Sequence, residues 1–178
     1  MLDTLISSKT RVKLLLKFFL NPDNRAYLRG LESEFGESTN AIRIELNRFE
    51  EAGMLSSESE GNRKVYQANK KHPLFGDMQS LLRKYVGIDQ LIDTVLSRLG
   101  EVQRVYLVGE FAKGLDSSII DLVIVGSVDD NYLLQLIKKA ESLLNKKIRY
   151  LVYSATEFSL GNPLKAELHK LLIWTHED

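Results

Sequence analysis

The sequence predicts an α+β protein of two domains, residues 1–88 and 89–178, and three observations lead to this prediction. The first half shows three amphipathic helical patterns followed by a hairpin, whereas the second half alternates helices and strands around a glycine-rich turn. The net charge of zero also divides unevenly. Residues 1–88 carry 14 basic and 11 acidic side chains, a balance of +3, and residues 89–178 carry 10 and 13, a balance of −3. Such a division is typical of a nucleic-acid-binding half joined to a non-binding half.

Composition narrows the class of protein further. The chain has 178 residues, of which 44% are hydrophobic and 27% charged, as in ordinary globular domains. It has no run of the roughly 18 apolar residues that a membrane span needs. The absence of cysteine excludes disulfides and thiolate metal sites. The start, Met1-Leu2-Asp3-Thr4, lacks the basic region and apolar core of a signal peptide, so we expect a cytoplasmic protein without membrane contact.

The first two predicted helices have clear boundaries. A first helix is capped by Ser7 or Ser8 and ends at Asn21-Pro22-Asp23-Asn24, because serine caps helices and proline breaks them. A second helix runs from about Tyr27 to Phe35, and Gly36 ends it. Both have apolar residues at helical spacing, which predicts buried faces. These positions are Val12, Leu15, Leu16 and Phe19 in the first helix, and Leu28, Leu31 and Phe35 in the second.

A third helix and a hairpin complete the first half. Ser38 or Thr39 caps the helix, and Gly53 closes it in the left-handed conformation that glycine favours. Strands are predicted over Met54 to Ser57 and Lys64 to Ala68, with Glu60-Gly61-Asn62-Arg63 between them. This order of elements is the winged-helix plan. The predicted buried positions of the third helix are Ile42, Leu46 and Phe49.

The third helix and the strand after it also resemble a known family. The segment from Ser38 to Arg43 and the ending Phe49-Glu50-Glu51-Ala52-Gly53-Met54-Leu55 are similar to the ArsR/MarR-like bacterial regulators, whose third helix often ends in L-E-E-A-G-L. The resemblance covers about Ser8 to Pro73. It implies a winged-helix domain that binds double-stranded DNA.

In a winged helix the third helix enters the major groove, and the hairpin, or wing, approaches the backbone or the minor groove. Arginine suits guanine edges, asparagine suits adenine edges, and serine and threonine suit phosphates. Lys9, Arg11 and Lys13 would add backbone contacts. The alternative is that the predicted DNA-binding side chains are only the solvated sides of amphipathic helices. Ile44 and Glu45, which fall near the presumed reading face, favour this alternative. The predicted DNA-binding residues are Ser38, Thr39, Asn40, Arg43, Asn47 and Arg48 on the third helix, and Arg63 and Lys64 on the wing.

A connecting helix, which belongs to the first domain, follows Pro73 from about Leu74 to Tyr85. The second domain then begins with a helix that is capped by Asp89 and carries apolar residues from Leu91 to Leu99. Their apolar stripes predict a homodimer or, alternatively, packing between the two domains. Three strands and two further helices complete the prediction. The strands are Val102 to Val108, Ile119 to Val125 and Ile148 to Tyr153, and the helices are Val128 to Leu144 and about Pro163 to Trp174.

A glycine-rich motif lies between the first two of these strands. Gly109-Glu110-Phe111-Ala112-Lys113-Gly114, followed by Ser118-Ile119-Ile120-Asp121-Leu122, resembles the minimal nucleotidyltransferase family, related to DNA polymerase beta. The family's usual form reads G-S-F-A-R-G, a short loop, and S-D-I-D-L. The resemblance covers roughly Ile88 to Phe158. Glu110 stands where the family's serine contacts phosphate, and Ile119 stands where its first metal-binding aspartate belongs.

These departures bear on the chemistry that the resemblance implies. Nucleotidyl transfer needs carboxylates that hold divalent ions against the triphosphate, but only Asp121 remains of the usual pair. The later strand that should carry a third acid has Arg149 instead. We therefore expect no catalytic residue, metal ion or cofactor. Alternatively, glycine amides and Lys113 bind a nucleotide or another anion, although the glycines also suit a tight turn. The residues of this vestigial pocket are Gly109, Glu110, Lys113, Gly114, Ser118 and Asp121.

Together these patterns predict a DNA-binding transcription regulator. Its C-terminal domain is expected to be a nucleotidyltransferase-like domain that serves sensing or dimerisation, with a small molecule or nucleotide as effector. Two alternatives stay open, an active nucleotidyltransferase and an interaction module of the toxin–antitoxin type. The three histidines, His72, His169 and His176, lack the spacing of metal ligands.

Overall fold

The computed structural model describes residues 6–161, 163–164 and 169–176. The chain is a mixed α+β protein whose strands form two separate sheets. It divides into two compact units, the first ending at Tyr85 and the second beginning at Val86. The sequence places this boundary three residues later, after Ile88.

Four helices belong to the first unit, and the last of them ends one residue past its boundary. They are α1 (Lys9–Leu15), which continues as a π-helical turn over Leu16–Leu20, α2 (Leu28–Phe35), α3 (Thr39–Glu51) and α4 (Phe75–Val86). Ser8 caps α1 and Ser38 caps α3, each through a side-chain oxygen that accepts a backbone N–H 3.2 Å away. Gly36 and Gly53 follow α2 and α3 with φ of 62° and 71°, the left-handed conformation that ends a helix.

The sheet of the first unit has three antiparallel strands in the order β1-β3-β2. They are β1 (Arg25–Tyr27), β2 (Leu55–Glu60) and β3 (Arg63–Ala68). The hairpin of β2 and β3 occurs where the sequence predicts it, with Gly61 at φ 59° in the turn. Strand β1 is not predicted, and Tyr27 was assigned instead to the start of the second helix. Tyr27 in fact pairs with Val65 and precedes α2 as its N-cap.

The core of the first unit is built from the predicted apolar faces. Leu31, Ile42 and Leu46 are fully buried, and so is Phe19 on the π-helical turn. Lys17 lies on the same turn and is also buried, with Nζ 2.6 Å from the Glu34 carboxylate. A buried lysine needs such a partner because an unpaired charge away from water is costly. This ion pair links the π-helical turn after α1 to α2.

The second unit contains a four-stranded sheet in the order β6-β5-β4-β7. Its strands are β4 (Val102–Val108), β5 (Ile119–Gly126), β6 (Lys147–Tyr153) and β7 (Leu171–Thr175). Strands β5 and β6 are parallel, and the other neighbours are antiparallel. This arrangement sets β5, the most buried strand, between β4 and β6.

Four α-helices accompany that sheet in the described residues. They are α5 (Ile88–Thr94), α6 (Gly109–Ala112), α7 (Asp130–Leu144) and α8 (Ala155–Gly161). A 3₁₀ turn, Leu96–Arg98, follows α5. Helix α7 provides the crossover between the parallel strands β5 and β6, which cannot be joined by a tight turn. Helix α6 is a single turn between β4 and β5, so it places the glycine motif at the end of β4.

Three predictions for the second unit are wrong, one in the type of element and two in where a helix begins. The last helix, about Pro163 to Trp174, is replaced over Leu171–Thr175 by strand β7, whose Trp174 pairs with Val105 of β4. Part of that predicted helix lies outside the described residues. Asp89 is not a cap, because α5 already begins at Ile88 after Gly87, which has φ 93°. Helix α7 begins two residues later than predicted, since the Asp129 carboxylate caps it at the Tyr132 N–H.

Among the described residues, no helix combines the length and apolar character required to cross a membrane.

Candidate nucleic-acid interface and glycine turn

An open groove of about 770 Å³ separates α3 from the hairpin in the first unit. Helix α3 contributes Arg43 and Asn47 to its lining, and the hairpin contributes Arg63 and Lys64. These four residues are half of the predicted DNA-binding set, and the structure brings them together. The groove is therefore bounded on two sides by the elements that the winged-helix prediction assigns to DNA.

The groove also contains residues that the sequence reasoning missed. They are Tyr27, Leu28 and Arg29 at the start of α2, and Asn62 and Tyr66 on the hairpin. The pairing of β1 with β3 brings Tyr27 and Arg29 to the groove, although they precede the hairpin, which begins at Leu55, by 28 and 26 residues. The only sequence signal for these residues is the segment Arg25-Ala26-Tyr27, which forms β1. Three residues are too few to show the alternating pattern of a strand.

The groove is cationic. Four of its lining side chains are basic, namely Arg29, Arg43, Arg63 and Lys64, and none is acidic. Within the described part of the chain, no carboxylate lies within ion-pair distance of the three arginines. Lys64 differs, because its Nζ lies 2.6 Å from the Glu50 carboxylate. The three arginines therefore keep their charge available to an anionic ligand.

Glu50 connects α3 to the hairpin. Its carboxylate accepts hydrogen bonds from Lys64 Nζ at 2.6 Å and from the Ser57 hydroxyl at 2.5 Å. The bond from Lys64, followed by the one from Ser57, lowers the pKa of Glu50 below its ordinary value. Lys64 in turn has a raised pKa, mainly because of its bond to Glu50. Both groups are therefore charged at neutral pH, and this contact links the end of α3 to both strands of the hairpin.

Glu45 does not face the groove, which corrects its predicted place near the reading face. It lies three residues from Ile42 and four from Phe49, on the buried face of α3. Its side chain is buried, and Arg11 donates to it from Nε at 2.9 Å and from Nη2 at 3.2 Å. Arg48 donates to the same carboxylate at 3.1 Å. Burial raises the pKa of Glu45, but the hydrogen bonds from Arg11 and Ser8 and the nearby arginine charges outweigh it and lower the pKa overall. The objection that Glu45 would repel phosphate is therefore removed.

The remaining predicted contacts lie outside the groove lining. Ser38, Asn40 and Arg48 are exposed and Thr39 is half-buried, so all four are accessible on or beside α3. Ile44 is 44% exposed, as the sequence suggests. The predicted backbone contacts near α1 are less available, because Arg11 pairs with Glu45 and Lys13 pairs with Glu37 at 2.6 Å.

The glycine motif lies at the end of β4 in the second unit. Gly109 has φ 67°, and a side chain there would collide with the Asp121 carboxylate. Asp121 lies opposite Val108 on β5. Arg149 on β6 donates to it from Nε at 2.6 Å and from Nη2 at 3.0 Å. The acid that a nucleotidyltransferase would use for a metal ion is thus engaged by a guanidinium.

The other residues of the vestigial pocket are engaged as well. Lys113 Nζ lies 2.9 Å from the Glu110 carboxylate, so the two charges neutralise each other. The Gly114 N–H donates to the Phe111 carbonyl at 3.0 Å and is not available to a phosphate. The Ser118 carbonyl accepts the Lys147 N–H at 2.9 Å, which links β5 to β6. These contacts favour the structural interpretation of the two glycines over an anion site.

Divalent-ion ligands are not assembled in the described residues: no cluster of three or more histidine, aspartate or glutamate side chains there could hold an ion. Ile119, at the position where the similar nucleotidyltransferase motif has an aspartate, is half-buried at the start of β5. The register places Lys147 beside Ile119 and Arg149 beside Asp121. Basic residues thus stand on the neighbouring strand at both positions.

Comparison with known proteins gives distant structural likenesses. No protein-family model and no curated protein matches the sequence. Reduced HlyU from Vibrio cholerae is 19% identical, with a TM-score of 0.38 over 47% of this chain and 83% of HlyU. A mutant of the toxin–antitoxin pair MntA–HpeT is 15% identical, with a TM-score of 0.41 over 51% of this chain and 74% of that one. A tri-AMPylated HEPN toxin of Shewanella oneidensis in complex with the MNT antitoxin is 17% identical, with a TM-score of 0.38 over 52% and 73%. Likenesses at this level do not establish a shared fold.

Proposed function

We propose that the first unit is a winged-helix DNA-binding unit and that the protein is a transcription regulator. The observation that carries the proposal is the groove between α3 and the hairpin, which has four basic lining residues and no acidic one. Duplex DNA presents closely spaced phosphates, and side chains that neutralise them provide most of the affinity. Arg43 and Asn47, on the exposed face of α3, are suited to base edges. In this role the protein works in the cytoplasm, next to DNA.

Sequence readout and backbone contact fall to different residues in this proposal. Arg43 and Asn47 read bases from α3, with Ser38, Thr39 and Asn40 at the helix start, where side chains approach the duplex first. Arg29 and Arg63 contact phosphates around the groove, and Lys64 contributes less to this because it pairs with Glu50. Arg48 contributes less, because Glu45 already accepts one of its hydrogen bonds.

We further propose that the second unit does not perform metal-dependent nucleotidyl transfer and serves sensing or dimerisation. The pair formed by Asp121 and Arg149 supports this proposal, since two metal ions normally need several carboxylates to stabilise the attacking and leaving oxygens. An active nucleotidyltransferase is the rival function. Incubation with labelled nucleoside triphosphates and magnesium or manganese distinguishes the two, because transfer that is lost in Asp121→Ala would establish the enzyme.

The regulator is proposed to act as a homodimer, because two-fold symmetry matches paired half-sites on DNA. Helix α4 supports this, since Met78, Leu81 and Tyr85 remain partly exposed while Leu82 is buried. The chain has a mass of 20.3 kDa. Light scattering at micromolar concentration should give twice this mass. A monomeric mass both with and without DNA would contradict the dimer and would favour a toxin–antitoxin type of interaction module.

The direct test of the regulator is selection of bound sequences from random duplex DNA, with and without nucleoside triphosphates. A shared sequence motif is expected in the selected pool. Arg43→Ala should blur that motif. Absence of any duplex binding at low salt would rule out the proposed function. A motif that changes when nucleotide is added would identify the second unit as the sensor.

A further inference from the structure

Tyr27 and Arg63 form a contact that is separate from the ion pairs of the hairpin. The Arg63 guanidinium carbon lies 4.8 Å from the centroid of the Tyr27 ring. This distance is within the range of cation–π attraction, and guanidinium groups favour aromatic faces. Both residues line the groove. The contact therefore places the charge of Arg63 at the groove wall.

Strand pairing explains why these two side chains meet. Tyr27 is the last residue of β1 and pairs with Val65 of β3. Arg63 lies two residues before Val65, so it is the diagonal neighbour of Tyr27 on the same face of the antiparallel pair. Diagonal neighbours are within reach of each other when one is aromatic and the other long. The contact thus follows from the register of β1 against β3.

Helix α2 restricts the ring from another direction. A Cβ added at Gly30 would lie 3.4 Å from two carbons of the Tyr27 ring, so the ring lies directly against the helix backbone at that glycine. The position of the ring is therefore fixed by α2 and by β1 together. A fixed ring can hold a flexible arginine, whose side chain otherwise loses rotamer freedom when it binds.

Other cations of the hairpin sheet are engaged by acids. Lys64 pairs with Glu50 at 2.6 Å, and Arg25 on β1 pairs with Glu60 at 2.6 Å and Glu58 at 3.3 Å. In the described residues, no carboxylate lies within ion-pair distance of Arg63. Arg63 is thus held in position by an aromatic ring that leaves its charge uncancelled.

We propose that Tyr27 is a positioning residue for DNA binding, holding the Arg63 guanidinium inside the groove so that it meets a backbone phosphate beside α3. This inference rests on the proposed function. It adds that the Arg63 guanidinium is oriented before DNA arrives. Tyr27 acts through Arg63.

The variants Tyr27→Phe and Tyr27→Leu separate this role from a purely structural one. Phenylalanine keeps the aromatic face, whereas leucine keeps apolar bulk without it. We expect Tyr27→Phe to bind the selected duplex within about two-fold of the wild type, and Tyr27→Leu to bind about three- to ten-fold more weakly. In an Arg63→Ala background, Tyr27→Leu should have no further effect. Equal weakening in both backgrounds would overturn the inference.

A second measurement needs no DNA. In the free protein, the side-chain NMR signals of Arg63 should show a ring-current shift that persists in Tyr27→Phe and disappears in Tyr27→Leu. If the shift is absent while the wild type binds DNA, the positioning role is wrong and the proposed function stands. If the shift is present but the wild type binds no duplex, the proposed function fails, and the role of Tyr27 fails with it.

Discussion

Arg149 and Asp121 occupy paired positions on the adjacent parallel strands β6 and β5 and share two hydrogen bonds, at 2.6 Å and 3.0 Å. The two parallel N–H···O bonds match the geometry of a guanidinium and a carboxylate. The bond to Asp121 raises the pKa of Arg149, so the arginine is charged throughout the accessible pH range. A divalent ion at Asp121 would have to displace this permanent cation.

The first prediction concerns metal binding at this pair. Ile119→Asp alone should bind no manganese, because Arg149 still engages Asp121. Ile119→Asp combined with Arg149→Asp should bind it, since residues 119 and 121 share one face of β5 and position 149 lies beside 121. Electron paramagnetic resonance of added Mn²⁺ measures the free ion directly. Manganese binding by the single variant would show that Arg149 does not control the site.

The second prediction concerns base readout by α3. Arg43→Ala should reduce affinity for the selected duplex by about 1–3 kcal/mol and should reduce affinity for unrelated duplexes much less. Lys71→Ala is the matched control, because it removes an exposed positive charge of the same unit outside the groove. Fluorescence anisotropy at fixed salt measures the affinity of each variant for the selected and the unrelated duplexes. Equal losses on selected and unrelated DNA would make Arg43 a phosphate contact.

The third prediction concerns Arg29, which the sequence reasoning did not include. If Arg29 contacts the DNA backbone, Arg29→Ala should reduce the affinity for all duplexes to a similar extent. The slope of log affinity against log salt should decrease by about 1, because one fewer phosphate is neutralised. Titrations at several salt concentrations provide this slope. An unchanged slope would place Arg29 outside the interface.

The helices of the first unit could be predicted because their signals are local. Ser38, Gly53 and the buried positions Ile42 and Leu46 define α3 within one short window. Strand β7 could not be predicted this way. Its apolar residues Leu171 to Trp174 also fit a helical pattern, and their strand conformation depends on pairing with β4, more than 60 residues earlier. Long-range hydrogen bonding therefore decided the structure where the local pattern was ambiguous.

The residues of the candidate groove also divide into those that local patterns predict and those that depend on long-range contacts. Arg43, Asn47, Arg63 and Lys64 were predicted from the order of the elements, and the structure places them around one cavity. Tyr27 was missed because its role depends on β1, a strand of three residues without a periodic pattern. Glu45 was placed near the reading face of α3, although its spacing of three residues from Ile42 and four from Phe49 puts it on the buried face. There its carboxylate accepts hydrogen bonds from Arg11. Periodicity thus gives the correct face for Glu45, whereas the charge of its side chain suggests the solvent side until its arginine partner is known.

The last prediction concerns Glu45 and stability. Its folded-state pKa is lowered, so its contribution is fully present above the ordinary glutamate pKa and is lost as the pH falls through the folded value. Glu45→Gln should reduce the free energy of unfolding of the first unit by about 1–3 kcal/mol at pH 7, because the bonds from Arg11 and Arg48 lose their charged acceptor. At pH 3 the difference in the free energy of unfolding between Glu45→Gln and the wild type should be smaller.

Urea titrations that follow the amide NMR signals of α1 and α3 measure the first unit alone. Glu51→Gln is the control, because Glu51 is exposed at the end of the same helix and forms no ion pair with a described residue. It should change stability little at either pH. Equal effects of the two variants at pH 7, or a Glu45→Gln effect that persists undiminished at pH 3, would show that the buried carboxylate does not stabilise the contact between α1 and α3.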